Sequence, residues 1–181
     1  SYGDDIGSGV VFAQQLRLAL RPAIEKFLDD GGLVLGICNG FQILTESGLL
    51  QGALLHNNTQ KFICKNVYLK PSSSSSAITE GLENKAYKIP IAHGEGRFYA
   101  DENTLNKLIE NDQILFKYSD EKGNITKEAN PNGSILNIAG ICNNNRNVFG
   151  MMPHPERAAD TELNNTDGKI LFDSILNEVL S

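Results

Sequence analysis

No run in this 181-residue sequence approaches the roughly 18 consecutive apolar positions that a membrane-crossing helix needs, and no basic start leads into an apolar segment as a secretory leader would. The expectation is a soluble, cytoplasmic protein. Basic residues form no stripe that could neutralise a phosphate backbone, and a formal net charge of -6 with a pI near 5.1 makes nucleic acid a poor partner. Cysteine is scarce. Cys38, Cys64 and Cys142 are odd in number and lack the pairwise spacing of a disulfide framework or a zinc site, so at least one thiol is free or intermolecular and no metal is expected. No internal repeat is visible.

What is present fits one domain over residues 1–181, a length ample for a continuous core, with 40% hydrophobic and 21% charged residues. Leu16, Leu20, Ile24, Phe27 and Leu28 recur at spacings of three and four and predict an amphipathic helix over 13–30. Pro22 either kinks that helix or starts it afresh from the first turn. The run Leu33 to Ile37 predicts a strand buried on both faces, and residues 39–47 a following helix. Helix, buried strand, sharp turn, helix is the order of an open, mostly parallel α/β sheet flanked by helices.

Further along, Phe62 to Lys70, Tyr87 to Ala92, Ile114 to Tyr118, Ile135 to Cys142 and Val148 to Met152 read as extended. Cys64 and Cys142, inside two of these strands, are expected in the core. Pro71 and the serine run 72–76 read as a solvated, flexible loop, and residues 101–110 as a short helix. Gly168 to Leu180 predicts a last helix docking through Leu171, Phe172, Ile175, Leu176, Val179 and Leu180.

Gly36-Ile37-Cys38-Asn39-Gly40 has the G-x-nucleophile-x-G form of a nucleophile elbow with cysteine in the serine position. A tight strand-to-helix turn forces the nucleophile into strained backbone angles, and small flanking residues let neighbouring backbone pass closely. A sulfur at a helix N-terminus also meets unpaired amides and the positive end of the helix dipole, both of which favour thiolate. The competing reading is a small buried cysteine with no chemical role.

Met152-Pro153-His154-Pro155-Glu156 tips that balance. The two prolines bias the segment away from helix, and in an extended chain residues two apart point the same way, about 6 to 7 Å apart, so the Glu156 carboxylate reaches the His154 ring. If the other ring nitrogen faces Cys38, the three residues take the roles of nucleophile, base and orienter. His93 is the rival base, but the glycines around it in Pro90-Ile91-Ala92-His93-Gly94-Glu95-Gly96-Arg97 suggest a loop close to a ligand or another chain, which gives His93 and Arg97 a binding or interface role at best. His56 has no partner pattern and reads as exposed.

Taken with Tyr2-Gly3-Asp4-Asp5, Asn130-Pro131-Asn132-Gly133-Ser134 and Gly150 to Arg157, these blocks resemble the triad (class I) glutamine amidotransferases, and within them the glutaminase-subunit family of phosphoribosylformylglycinamidine synthase in purine biosynthesis. The resemblance implies a flavodoxin-like fold and hydrolysis of L-glutamine to glutamate and ammonia through a Cys38 thioester, with His154 as base and acid and Glu156 as its orienter. It also implies an oxyanion-binding backbone amide at Asn39, and help from Gln42 in holding glutamine. The expected partners are a large synthase subunit, which carries ATP and magnesium, and a small bridging subunit; no cofactor is expected in this chain.

The family has a further strand-helix-strand unit before the block at Tyr2, so the expectation is an N-terminally incomplete domain, one oxyanion amide short and about 100 to 1,000-fold slower. The alternatives are a non-catalytic binding module of the synthase complex, or another α/β cysteine hydrolase such as a γ-glutamyl hydrolase relative.

Overall fold

The computed structural model describes residues 8–180, so the block at Tyr2 to Asp5 lies outside the described residues. The first helical stretch comes in pieces: α1 (Ser8–Gln15) passes through a π-helical turn (Leu16–Leu20) into α2 (Arg21–Asp29). Pro22 sits in the first turn of α2, where its missing N–H leaves no bond unmade, just after the π turn ends at Leu20. The helical run is unbroken from 8 to 29, and the proline marks the junction at which the π turn gives way to α2. Leu16 is buried with Ala13 and Ile43, but Leu20 and Phe27 are 49% and 51% exposed. The wider π turn rotates the residues beyond it out of the 3.6-residue phase on which the expected apolar face depended.

β1 (Val34–Ile37) leads through Cys38 into α3 (Asn39–Glu46), then β2 (Ala53–Leu55), β3 (Ile63–Pro71), β4 (Tyr87–His93) and β5 (Arg97–Tyr99). After α4 (Glu102–Glu110) come β6 (Ile114–Ser119), β7 (Ile138–Cys142), β8 (Val148–Met151) and α5 (Lys169–Leu180). Residues Ile135–Asn137, expected as strand, form a 3-10 turn, with Leu136 and Asn137 at φ 52° and 59°.

Six strands form one sheet in the order β1-β8-β7-β6-β3-β4, and β2 pairs with β5 in a small second sheet. The α/β class with flanking helices is the one expected, but among the described residues the sheet is mixed rather than mostly parallel. β1 and β8 run parallel, whereas β8/β7, β7/β6, β6/β3 and β3/β4 are antiparallel. For β7/β8 the cause is connectivity: they are joined by only five residues, which closes a hairpin but cannot make the long crossover that parallel neighbours need.

Each face of the sheet carries its own core. Val67, Leu69, Tyr87, Ile89, Ile91 and Leu171 of α5 pack on one side. Phe41 and Leu44 of α3, Leu108 of α4, Phe98, Ile141 and Val148 pack on the other. α5 docks only through its first half: Leu171 and Ser174 are buried, but Leu176, Val179 and Leu180 run from 54% to 82% exposed.

Two further expectations are corrected. Cys64 is exposed, because β6 pairs with Tyr68 to Pro71 of β3 and leaves the other half of that strand with β4 as its sole strand neighbour among the described residues; Cys142 is buried, as expected. The serine run is ordered rather than a loose loop, since Ser73 and Ser75 both donate to Asp112 Oδ2 at 2.7 Å and Ser76 Oγ lies 3.1 Å from Thr79 Oγ1. Short hydroxyl side chains satisfy local acceptors readily, so low complexity there encodes a bonded turn.

Candidate active site

Cys38 is the N-cap of α3 and adopts φ 51°, ψ -106°, a conformation that L-residues avoid. It is locked there from both sides. Its amide donates to Met151 O at 2.8 Å, continuing the β1/β8 pairing, and its carbonyl accepts from Phe41 N and Gln42 N at 2.9 and 3.2 Å, opening the helix. Gly36 makes the turn possible, since a Cβ there would lie 2.5 Å from Leu44 Cδ1 and 2.7 Å from the backbone of Gly40. At Gly40 a Cβ meets nothing within 4 Å among the described residues, so close packing does not explain that glycine.

His154 follows the end of β8. Because β1 and β8 are parallel with Ile37 opposite Met151, Cys38 and His154 emerge from the same end of neighbouring strands. The outer edge of β4 then serves both: His154 N donates to Pro90 O at 2.8 Å, and Cys38 Sγ donates to Ala92 O at 3.7 Å. Pro90 and Ala92 are two apart on one strand, so their carbonyls face the same way.

The His154 ring is buried, and its Nδ1 donates to Glu156 Oε1 at 2.7 Å. A carboxylate only accepts, so this bond fixes a proton on Nδ1; in the neutral ring the lone pair is then on Nε2. Nε2 is itself buried and has no hydrogen-bond partner among the described residues. Burial of the Glu156 carboxyl works against ionisation, but the His154 hydrogen bond and the neighbouring Arg157 outweigh it and hold the group below the usual glutamate range.

Gln42 is buried, one helical turn past the nucleophile; its Oε1 accepts from Asn39 Nδ2 and its Nε2 donates to Glu95 O, both at 2.7 Å. Its amide thereby ties α3 to the turn after β4. His93 is fully buried rather than at an interface, with Nδ1 3.0 Å from Asn57 Oδ1. Gly96 lies flat against that ring, where a Cβ would come within 2.3 Å. Arg97 Nε donates to His56 O at 3.0 Å, and His56, exposed as expected, faces Glu95 Oε1 at 3.1 Å. The structure thus groups His154 with Glu156, sets Cys38 on the same strand edge, and draws His93 into a separate scaffold.

Sequence reasoning missed Asn57 and the carbonyls of Pro90 and Ala92. A backbone carbonyl leaves no side-chain signature, and an asparagine pair between strands looks like any turn.

Residues 1–171 match the family model for a CobB/CobQ-like glutamine amidotransferase domain, which defines the class of the chain. Two relatives named phosphoribosylformylglycinamidine synthase subunit PurQ, from Koribacter versatilis and Aquifex aeolicus, are each 51% identical, over 97% of this chain and 75% of the first and over 98% and 78% of the second. A solved structure described as PurLQS from Thermotoga maritima superimposes with a TM-score of 0.79 at 40% identity, covering 99% of this chain and 76% of that one. The chain belongs to the PurQ family.

Proposed function

We propose that this chain is the glutaminase component of a phosphoribosylformylglycinamidine synthase, with Cys38, His154 and Glu156 as its catalytic residues. The observation that carries this reading is the shared edge of β4: one strand anchors the backbone of His154 through Pro90 O and the Cys38 thiol through Ala92 O, while the buried Nε2 of His154 has no hydrogen-bond partner among the described residues. To hand its proton to this base the thiol must turn from Ala92 O toward Nε2.

In the proposed cycle the thiol proton passes to His154 Nε2 as sulfur attacks the side-chain amide carbon of glutamine. The resulting oxyanion meets the backbone N–H of Asn39, the first residue of α3, where helix amides converge. The C–N bond then breaks, and the imidazolium returns its proton to the leaving nitrogen, releasing ammonia. Water, deprotonated by the same ring, attacks the thioester, glutamate leaves, and the sulfur recovers its proton. Glu156 keeps the ring in one tautomer throughout and stabilises its charged form. Gln42 supports the glutamine pocket from the first turn of α3. Ammonia passes to a large synthase subunit that carries ATP and magnesium, with a small bridging subunit completing the assembly.

Labelling with 6-diazo-5-oxo-L-norleucine, a glutamine-mimicking electrophile, tests the reading. Tryptic mass mapping should find the label on Cys38 and not on Cys64 or Cys142, and His154→Ala should remove it. Label on Cys64 instead, or labelling indifferent to His154, would refute the assignment.

A further inference from the structure

Between Ala92, which holds the thiol, and Glu95, which holds Gln42, the chain makes a tight turn that forms the wall facing the first turn of α3. Two asparagines, each fully buried, clasp this turn from behind. Asn57 Nδ2 donates to His93 O at 2.9 Å, its Oδ1 accepts from Gly96 N at 3.2 Å and lies 3.0 Å from His93 Nδ1, and its backbone N–H donates to Gly94 O at 2.9 Å. Asn132 Nδ2 donates to Gly96 O at 2.7 Å, and Asn132 O accepts from Asn58 N at 3.0 Å, which joins the two clasps. Because Asn57 Nδ2 also donates to Lys61 O at 2.9 Å, the amide orientation is set by carbonyls on one side and donors on the other.

So many bonds converging on one four-residue turn exceed what a surface connection needs. We infer that Asn57 and Asn132 are positioning residues for glutamine: they hold the turn after β4 at a fixed distance from Cys38 and Gln42, so that the pocket beside the sulfur is already formed before substrate arrives. Neither touches the reacting atoms. Their effect falls on recognition of the glutamine skeleton, and the intrinsic reactivity of the sulfur, set by α3 and His154, is left alone. This inference rests on the glutaminase reading above.

The test compares two electrophiles on the full chain assembled with the large synthase subunit. 6-Diazo-5-oxo-L-norleucine must be recognised as glutamine before it reacts, whereas iodoacetamide needs only an accessible, activated thiol. In Asn57→Ser and Asn132→Ser, labelling of Cys38 by the glutamine analogue should slow by about tenfold or more, with a matching rise in KM for glutamine, the loss expected from a buried hydrogen bond. Iodoacetamide labelling of Cys38 should stay within about twofold.

Equal slowing with both reagents, or with neither, would overturn the proposal. If one variant lacks a cooperative thermal transition the other decides, and if both do, the two residues serve stability alone and the inference fails. Should the unsubstituted chain take up no glutamine analogue at Cys38, the glutaminase reading itself falls, a result distinct from either of these.

Discussion

Cys38 occupies a backbone region that other side chains avoid, so its strain and its proposed chemistry reside in the same residue. Cys38→Ala keeps the turn and removes the sulfur; glutamine turnover should fall by about 10,000-fold or more, read as ammonia release. In the proposed triad Glu156 makes a graded contribution. Its side chain is 45% exposed, so water partly replaces it, and Glu156→Gln should reduce turnover by about 10 to 100-fold rather than abolish it. Its lowered pKa has a sign that can be followed in stability. A carboxyl depressed in the folded state stabilises the fold above its unfolded pKa of about 4.3 and loses that contribution as pH falls through the folded value. Urea midpoints of the native chain and of Glu156→Gln should therefore differ at pH 7 and converge in strong acid.

The other two thiols separate as cleanly. Burial pushes the Cys142 thiol up to about 11, whereas Cys64 is exposed, so a disulfide reagent at neutral pH should modify Cys64 in the native protein and reach Cys142 only after unfolding.

At the scale of elements, the β1–Cys38–α3 unit depends on a glycine with no room for a methyl group. Gly36→Ala would drive a Cβ into Leu44 and the Gly40 backbone, and should lower stability by about 1–3 kcal/mol in denaturant titrations. α5 depends on a polar anchor: Ser174 Oγ lies within hydrogen-bonding reach of Ala77 O and Glu80 O, and Ser174→Ala should cost about 1 kcal/mol. Elements with a clean period were legible in the sequence, and α4, β3, β4, β6 and β8 lie within a residue or two of where their patterns put them. Legibility failed where the pattern could not report a neighbour. The phase of the apolar stripe through Leu20 and Phe27 was lost to a π turn, and the far end of α5 looks amphipathic although nothing among the described residues covers Leu180. Cys64 read as core because a strand's period does not say whether its neighbours extend as far as it does. The pairing of His154 with Glu156, by contrast, was legible because two prolines and a two-residue spacing determine it locally.

At the scale of the molecule, the site depends on strand order, which no local pattern encodes. Cys38 and His154 are 116 positions apart in sequence, and they come to the same edge because β1 and β8 are parallel neighbours while β4, at the opposite end of the sheet order, contributes carbonyls to both. The sheet must therefore curve for its last strand to reach the residues beyond its first. Much of the outward edge of β4 is taken: Asp167 Oδ2 accepts from the Lys88 amide at 2.7 Å, Asn165 Nδ2 donates to Lys88 O at 2.8 Å, and Pro90 has no N–H to leave exposed. Hydrogen–deuterium exchange should find the Lys88 amide slow, and Asp167→Ala should release it. That occupied border has a colloidal consequence. A rim whose Lys88 groups are taken and whose Pro90 lacks a donor gives a foreign strand few positions on which to zip up, so fibril-like growth is disfavoured along this margin.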